Sequence, residues 1–147
     1  IGSGKGEYVG NPDKSPLFPF GFGLSYTTFS YSDIKLTRDT ISPEEEIKAR
    51  IMVTNTGSVP GDEIVQLYIR DNYASVGRYH RMLKGFQRIH LDPGESKEAE
   101  FNIGFDELHL FDHNLNKIVE PGGFTIMIGS SSRAEDLRDT QLVVKSD

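Results

Sequence analysis

Short stretches in which apolar and polar residues alternate restrict the fold of this chain more than any other feature. The clearest runs from Ile47 to Val53, with an apolar side chain at every second position. An alternation of this period is typical of a β-strand with one buried and one solvated face. Comparable stretches follow at 65–70, 83–91, 99–103 and 124–128. Short strands separated by turn signals at this spacing predict an all-β sandwich.

The residues between these stretches are typical of tight turns. The segments 92–95 (Asp-Pro-Gly-Glu) and 120–123 (Glu-Pro-Gly-Gly) each place a proline before a glycine. This order suits a type II turn, because glycine supplies the positive φ that the third position requires. The segment 112–116 is predicted as a hairpin tip, and 130–139 as a polar loop with one helical turn. No window is long enough for a substantial amphipathic helix.

Three local predictions concern the strands themselves. The apolar positions change phase between Tyr31 and Ile34, which predicts a β-bulge near Ser32-Asp33. Leu108 and Leu110 predict a short strand. In the strand at 65–70, the side chains expected on the solvated face are Gln66, Tyr68 and Arg70.

The composition narrows the classes of function. The chain has 147 residues, no cysteine and a formal net charge of −6. Without cysteine, disulfides, thiolate metal sites and cysteine nucleophiles are excluded. The acidic balance argues against a nucleic acid or an anionic membrane as partner, and no apolar run reaches the roughly 18 residues of a membrane span. The opening residues 1–6 are typical of a linker or of a cut within a longer protein, and we expect a cut.

The segment Ser15–Phe29 is unusually apolar. It contains four phenylalanines, one tyrosine and two leucines among two prolines and two glycines, and no charged residue. Its pattern fits neither a helix nor a regular strand. A large exposed apolar patch marks an interaction surface. The segment either lines the core of its own domain or packs against something outside this chain. Because the later strands complete a sandwich mostly without it, we favour the second interpretation.

The sequence assembles no catalytic or metal site. Hydrolysis by paired carboxylates needs two acidic groups in one pocket, whereas the acidic clusters lie in predicted turns and strand ends, where they are expected to be solvated. These clusters are 44–46, 62–63, 106–107 and 135–136. On a predicted strand, His109 and His113 would lie about 13 Å apart, too far to share a metal ion. We therefore predict no catalytic residue, no metal and no cofactor.

The stretch 71–82 is the longest irregular one within the domain and carries the best surface candidates. These are Tyr73, Arg78, Tyr79, His80 and Arg81. Aromatic and guanidinium groups suit a sugar or a partner protein, and long loops in compact domains are often functional. The alternative is a loop that only covers a sheet edge.

Taken in order, several motifs resemble a known family. They are Pro16–Phe29, Val53–Gly57, Gly61–Arg70, Leu83–Arg88, Leu91–Ser96 and Glu120–Phe124. Together they are similar to the linker and C-terminal domain of the family 3 glycoside hydrolases. The resemblance implies an immunoglobulin-like (fibronectin type III-like) β-sandwich over residues 29–147. It also implies an extended aromatic linker over residues 1–28 that leads from a catalytic domain.

In that family, retaining hydrolysis of β-glucosides and β-xylosides uses an Asp nucleophile and a Glu acid/base carried by the preceding domains. The resemblance therefore implies no catalytic residue here. It implies that the linker contacts those domains through Leu17, Phe18, Phe20, Phe22, Leu24 and Tyr26. The loop 71–82 varies among members and approaches the active-site rim in some, and residues 77–81 depart from the commoner Arg-Pro form. A periplasmic or secreted bacterial location is also implied.

These observations favour a non-catalytic C-terminal accessory domain of a β-glycosidase that hydrolyses terminal β-linked glucose or related sugars. Its expected partners are the catalytic domains of the same chain, which it would brace, and an oligosaccharide at the loop 71–82, where it would shape the substrate entrance. One alternative is a free-standing β-sandwich module that binds carbohydrate or protein through that loop. Another is a homodimer formed through the apolar residues 17–26.

Overall fold

In the computed structural model of the protein, residues 26–72 and 82–146 are described. Their strands are β1 (Phe29–Tyr31), β2 (Lys35–Leu36), β3 (Thr40–Ile41), β4 (Ile47–Asn55), β5 (Gly61–Asp71), β6 (Met82–Leu91), β7 (Ser96–Ile103), β8 (Leu110–Phe111), β9 (Lys117–Ile118), β10 (Gly122–Gly129) and β11 (Leu137–Val144). A short helix, α1 (Phe105–Leu108), follows β7, and a 3₁₀ turn (Ala134–Asp136) precedes β11. Within these ranges no helix is long and apolar enough to cross a membrane.

Two sheets form the sandwich. In the first, β4 is central, with β1 and β2 along one edge and β7 along the other. The second has the order β3–β11–β10–β5–β6, in which β3 and β11 are parallel and the other pairs are antiparallel. Strands β8 and β9 form a separate hairpin. This architecture confirms the predicted all-β fold.

The core lies between the inward faces of the two sheets. Every second residue of β4 is buried from Ile47 to Asn55, which confirms the predicted alternation. From the facing sheet, β10 contributes Phe124, Ile126 and Ile128, each at most 1% exposed. Burial of each such side chain stabilises the fold by about 1.5–3 kcal/mol. The chain therefore has a continuous core of its own.

The predicted turn at 92–95 and the phase change are confirmed, whereas at 120–123 Gly122 has a φ of 136° and already begins β10. Gly94 has a φ of 79°, and the Glu95 N–H donates to the Asp92 carbonyl at 2.9 Å, as a type II turn requires. In the first sheet, Tyr31 pairs with Val53 but Lys35 pairs with Arg50. One extra residue therefore lies between β1 and β2, at the position predicted for the bulge.

Strand β5 is buried on both faces at its centre, which corrects the prediction that Gln66 and Tyr68 are solvated. Their side chains are 0% and 5% exposed. The Tyr68 hydroxyl donates to Gln66 Oε1 at 2.5 Å, and Gln66 Nε2 donates to the Ser130 carbonyl at 3.2 Å. Because these polar groups bond within the protein, this face does not need water to satisfy them. Arg70, the third member of the predicted solvated set, is half-buried.

Leu108 belongs to α1, which corrects the predicted strand at this position. The Gly104 N–H donates to the Glu107 carboxylate at 2.8 Å, and the Leu108 N–H donates to the Gly104 carbonyl at 3.0 Å. The carboxylate of Glu107 therefore closes the first turn of a helix. This turn directs Leu108 into the core, where it is 4% exposed. Strand β8 begins only at Leu110.

Candidate functional site

Most of the predicted site residues lie outside the described residues. They are Leu17, Phe18, Phe20, Phe22 and Leu24 of the aromatic segment and Tyr73, Arg78, Tyr79, His80 and Arg81 of the loop. Tyr26 is described, and its side chain is fully exposed. The structure also describes the entry of the chain into the sandwich after Tyr26, and the region around Met82, the first residue of β6.

Asn55, at the end of β4, fixes the entry of the chain. Its side chain is fully buried. The amide nitrogen donates to the carbonyls of Val59 and Leu91 at 2.9 and 3.0 Å. The amide oxygen accepts from the Thr27 hydroxyl and the Gly57 N–H, both at 2.9 Å. One buried amide therefore joins residue 27, the loop after β4 and the end of β6.

Further contacts complete an entry anchor, which we define as Thr27, Thr28, Asn55, Thr56 and Gly57. The Thr56 N–H donates to the Thr28 carbonyl at 2.8 Å, and the two hydroxyls also lie 2.8 Å apart. A Cβ at Gly57 would lie 1.9 Å from Thr27 Oγ1. Glycine thus permits the close approach of the two segments. The last residues before β1 are held firmly against the sandwich.

A groove lies between the start of β6 and the β8–β9 hairpin, and we call it the hairpin groove. It has a volume of about 380 Å³ and is lined by Met82, Lys84, His109, Leu110, Phe111, Asp112 and Leu115. Among the described strands, β6 belongs to the five-stranded sheet and the hairpin is a sheet of its own. No strand pairing therefore joins the two walls of the groove within the described residues.

A row of three rings, Phe105, His109 and Phe111, begins outside the hairpin groove, and its last two members line the groove. Phe105 and His109 stack with their centroids 5.7 Å apart, and His109 meets Phe111 edge to face at 5.5 Å. His109 Nδ1 also lies 3.2 Å from the Phe105 carbonyl oxygen. Phe105 and Phe111 remain 42% and 49% exposed. The row is therefore a partly exposed aromatic surface, with His109 held in place by its neighbours.

Leu115 occupies the tip of the hairpin in the left-handed region, with a φ of 66°. Asp112 Oδ1 accepts from the N–H groups of Asn114 and Asn116 at 2.8 and 3.0 Å, and this fixes the turn. A side chain in the left-handed region costs about 1–2 kcal/mol. The leucine is nevertheless 79% exposed. An exposed apolar residue at an unfavourable φ suggests a functional requirement.

One carboxylate lies inside the sandwich. Glu63 is 6% exposed, and its Oε2 accepts from the Tyr31 hydroxyl at 2.8 Å. Burial, assisted by the negative charge of Asp136, raises the pKa of Glu63 to about 7 against the opposing hydrogen bonds from Tyr31 and Ile64. Burial likewise raises the pKa of Tyr31 above its usual range. A perturbed carboxyl in a cleft would be a catalytic candidate, but Glu63 faces Tyr31 in the interior of the sandwich.

We expect the stability of the chain to depend on pH through Glu63. The folded pKa of about 7 lies above the unfolded value of 4.5, so the stabilisation is complete below the unfolded pKa and is lost as pH rises through the folded one. The free energy of unfolding of the wild type minus that of Glu63→Gln should therefore fall by about 3 kcal/mol between about pH 4 and pH 8. Urea unfolding at several pH values measures this difference. The exposed Glu44→Gln variant is the control, and a difference for Glu63→Gln that is independent of pH would contradict the prediction.

Other carboxylates of the predicted acidic clusters form ion pairs at the surface. Asp62 lies 2.7 Å from His90 Nδ1 and 2.8 Å from Arg88. Hydrogen bonds from His90 and Arg88 lower the pKa of Asp62, and the bond to Asp62 raises the pKa of His90. Over residues 26–72 and 82–146, no group of three or more potential ligands could hold a metal ion.

Neither Asn55 nor the hairpin groove was identified from the sequence. For Asn55 a signal existed, because it occupies the last core-facing position of an alternating strand, where an apolar residue is the usual choice. The groove has no comparable local signal. Its walls, at 82–84 and 109–115, are brought together only by the tertiary fold.

The chain was compared with known protein families, sequences and structures. Residues 63–132 match the fibronectin type III-like domain. The chain is 58% identical over 145 residues to a β-xylosidase of Formosa agariphila, covering 99% of this chain and 20% of the relative. It is 42% identical over 119 residues to the periplasmic β-glucosidase of Salmonella typhimurium, covering 81% of this chain and 16% of that protein. The crystal structure of a GH3 β-glucosidase of Bifidobacterium adolescentis matches with a TM-score of 0.77 and 33% identity, covering 90% of this chain and 19% of that one.

The sandwich and these matches define a fibronectin type III-like domain. The chain belongs to the domains of this type found in the family 3 glycoside hydrolases, the β-glucosidases and β-xylosidases. This confirms the family resemblance of its motifs. The chain spans about one fifth of the length of the curated relatives it matches.

Proposed function

We propose that the chain is a non-catalytic C-terminal accessory domain of a longer β-glycosidase acting on terminal β-linked glucose or a related sugar such as xylose. The observation that carries this proposal is the match of 99% of this chain to only 20% of a β-xylosidase. In the proposed arrangement, the remaining part of the longer protein supplies the catalytic residues.

The domain would brace the catalytic part through its aromatic lead segment. We divide the chain into this segment, 1–28, and the sandwich, 29–147. The entry anchor supports this division into two parts, because it fixes Thr27 and Thr28, at the end of the lead segment, to Asn55 and Thr56 of the sandwich. A tether fixed at its end transmits a defined orientation, whereas a flexible one would not. The full exposure of Tyr26, just before the anchor, is consistent with a residue that meets a neighbouring domain.

The loop 71–82 would shape the substrate entrance. Support comes from Asn72, which fixes the start of the loop. The Asn72 N–H donates to the Gly123 carbonyl at 3.0 Å, its Nδ2 donates to Gln141 at 3.0 Å, and its Oδ1 accepts from Thr125 at 2.8 Å. A loop that starts from a rigid point positions its side chains more reproducibly.

A comparison of activities tests this proposal. The 147-residue chain and the longer protein that contains it are assayed on aryl β-xylosides and aryl β-glucosides. We expect turnover by the longer protein and none by the chain. Turnover by the purified chain, lost on substitution of one of its own carboxylates, would overturn the proposal. So would a longer protein without β-glycosidase activity.

A further inference from the structure

The carboxyl group of Glu63 lies between the two sheets, where a tyrosine of the facing sheet bonds it. Glu63 is near the start of β5 in the five-stranded sheet, and Tyr31 is the last residue of β1 in the other sheet. Glu63 is 6% exposed, whereas Tyr31 is half-buried and packs against the edge of the core. The bond from the Tyr31 hydroxyl to Glu63 Oε2 therefore crosses from one sheet to the other at the margin of the sandwich.

The 3₁₀ turn before β11 brings a negative charge towards Glu63. This charge is the carboxylate of Asp136, which adds to the effect of burial in raising the pKa of Glu63. Asp136 Oδ2 accepts from the Ser131 hydroxyl at 2.7 Å and from Arg133 Nε at 2.9 Å. The cation of this turn is therefore already bonded to Asp136.

The other elements around Glu63 also leave its charge unbalanced. On β11, Arg138 Nε donates to the Tyr31 carbonyl at 3.2 Å. On β6, the residue that pairs with Glu63 is the apolar Ile89. Over residues 26–72 and 82–146, Glu63 forms no ion pair, and its side-chain partner is the neutral Tyr31 hydroxyl. A buried charge without a cation is costly, so this environment favours the neutral acid.

The main chain of β1 is held independently of the Tyr31 side chain. The Ser32 N–H donates to the Met52 carbonyl at 2.9 Å, and the Thr56 N–H donates to the Thr28 carbonyl at 2.8 Å. The Tyr31 side chain is held by its packing at the margin and by the one bond to the carboxyl. Because regions with few buried contacts open first, rotation of this side chain is the smallest movement that admits water to the carboxyl.

We propose that the Tyr31 side chain is a pH-operated gate over Glu63, which closes on the neutral carboxyl and swings outward when the carboxyl ionises. In the closed state the hydroxyl bonds Glu63, and in the open state water replaces it. Both sheets stay folded in the two states. The gate follows the entry anchor by three residues, so the ambient pH changes the sandwich beside the point where the lead segment enters it. The gate belongs to the sandwich itself and does not depend on the proposed function.

The gate should open as the pH rises. The closed carboxyl has a pKa of about 7, above its ordinary value of 4.5. The closed state is therefore fully favoured below the ordinary pKa and loses this advantage as the pH rises through the raised one. From these two values, the ratio of open to closed molecules should increase by up to about 80-fold between pH 5 and pH 9.

Hydroxyl-radical footprinting of the 147-residue chain tests the gate. Mass spectrometry measures the oxidation of Tyr31 relative to that of Tyr26, which is fully exposed and serves as a reference within the same molecule. We expect this oxidation ratio to increase at least about threefold between pH 5 and pH 9, because the open fraction rises with ionisation. The far-ultraviolet circular dichroism should stay the same, since the sandwich remains folded.

Two variants assign the response to one carboxyl. In Glu63→Gln the oxidation ratio should be the same at both pH values. In Asp62→Asn, which removes the neighbouring surface carboxylate that pairs with His90 and Arg88, it should respond as in the wild type. An unchanged ratio in the wild type overturns the inference, whether or not Glu63→Gln folds. An increase that persists in Glu63→Gln, or one that accompanies loss of the circular dichroism signal, also overturns it.

Discussion

Replacing Asn55 by alanine should lower the free energy of unfolding of the 147-residue chain by about 3–5 kcal/mol. The side chain is fully buried and makes four hydrogen bonds. Alanine would remove the partners of the Val59 and Leu91 carbonyls and of the Gly57 N–H. Each buried polar group left unsatisfied costs about 1–3 kcal/mol, and local rearrangement with entry of water recovers part of the sum. Urea unfolding followed by far-ultraviolet circular dichroism measures the change.

Two further variants serve as references for the stability loss expected of Asn55→Ala. Asn102→Ala removes an exposed amide that accepts one bond from Lys48 at 3.3 Å, and it should change stability by less than about 0.5 kcal/mol. Thr27→Ala removes one of the four bonds to Asn55 and should cost about 1 kcal/mol. If Asn55→Ala were no more destabilising than Thr27→Ala, the buried amide would not be the centre of the entry anchor.

The strands of this fold can be predicted from the sequence because they depend mainly on the local alternation of apolar and polar side chains. A strand with one buried face repeats every two residues, and β4 follows that rule from Ile47 to Asn55. The turn at Gly94 is equally local, since few residues other than glycine adopt its φ of 79°. Such features need no knowledge of distant parts of the chain.

Two features of the fold depend on contacts that the local pattern does not contain. Gln66 and Tyr68 have the alternating positions predicted for solvated residues, yet both are buried, and their polar groups bond each other and the Ser130 carbonyl. Around Leu108, the alternation of Leu108 and Leu110 suggests a strand. The structure instead has a helical turn, in which the Gly104 N–H donates to the Glu107 carboxylate and the Leu108 N–H donates to the Gly104 carbonyl. In both cases the structure departs from the hydrophobic pattern at residues that form specific hydrogen bonds.

The features that bear on function also differ in how far the sequence predicts them. Motifs spread along the chain were enough to predict the family, and the comparisons confirm it. The entry anchor depends on the placement of Thr27 against Asn55, which are 28 positions apart. The hairpin groove depends on β6 meeting the β8–β9 hairpin. The sequence could therefore predict the kind of domain but not the surfaces through which it would work.

The aromatic lead segment should contribute to stability only in the presence of a neighbouring domain. Phe20 lies outside the described residues, and its role as an interface residue is a prediction from the apolar character of 15–29. If the catalytic part of the longer protein covers this ring, Phe20→Ala should cost about 3–5 kcal/mol there. In the 147-residue chain, where that part is missing, the same change should alter stability by less than about 0.5 kcal/mol.

The most direct test is a matched pair of unfolding measurements on Phe20→Ala, one in the longer protein and one in the 147-residue chain. Val143→Ala, at a side chain that is 44% exposed on β11, is the control in both. An accessory domain that docks through its lead segment predicts a large loss of stability in the longer protein and almost none in the chain. Equal losses in the two proteins, or no loss in the longer protein, would contradict it.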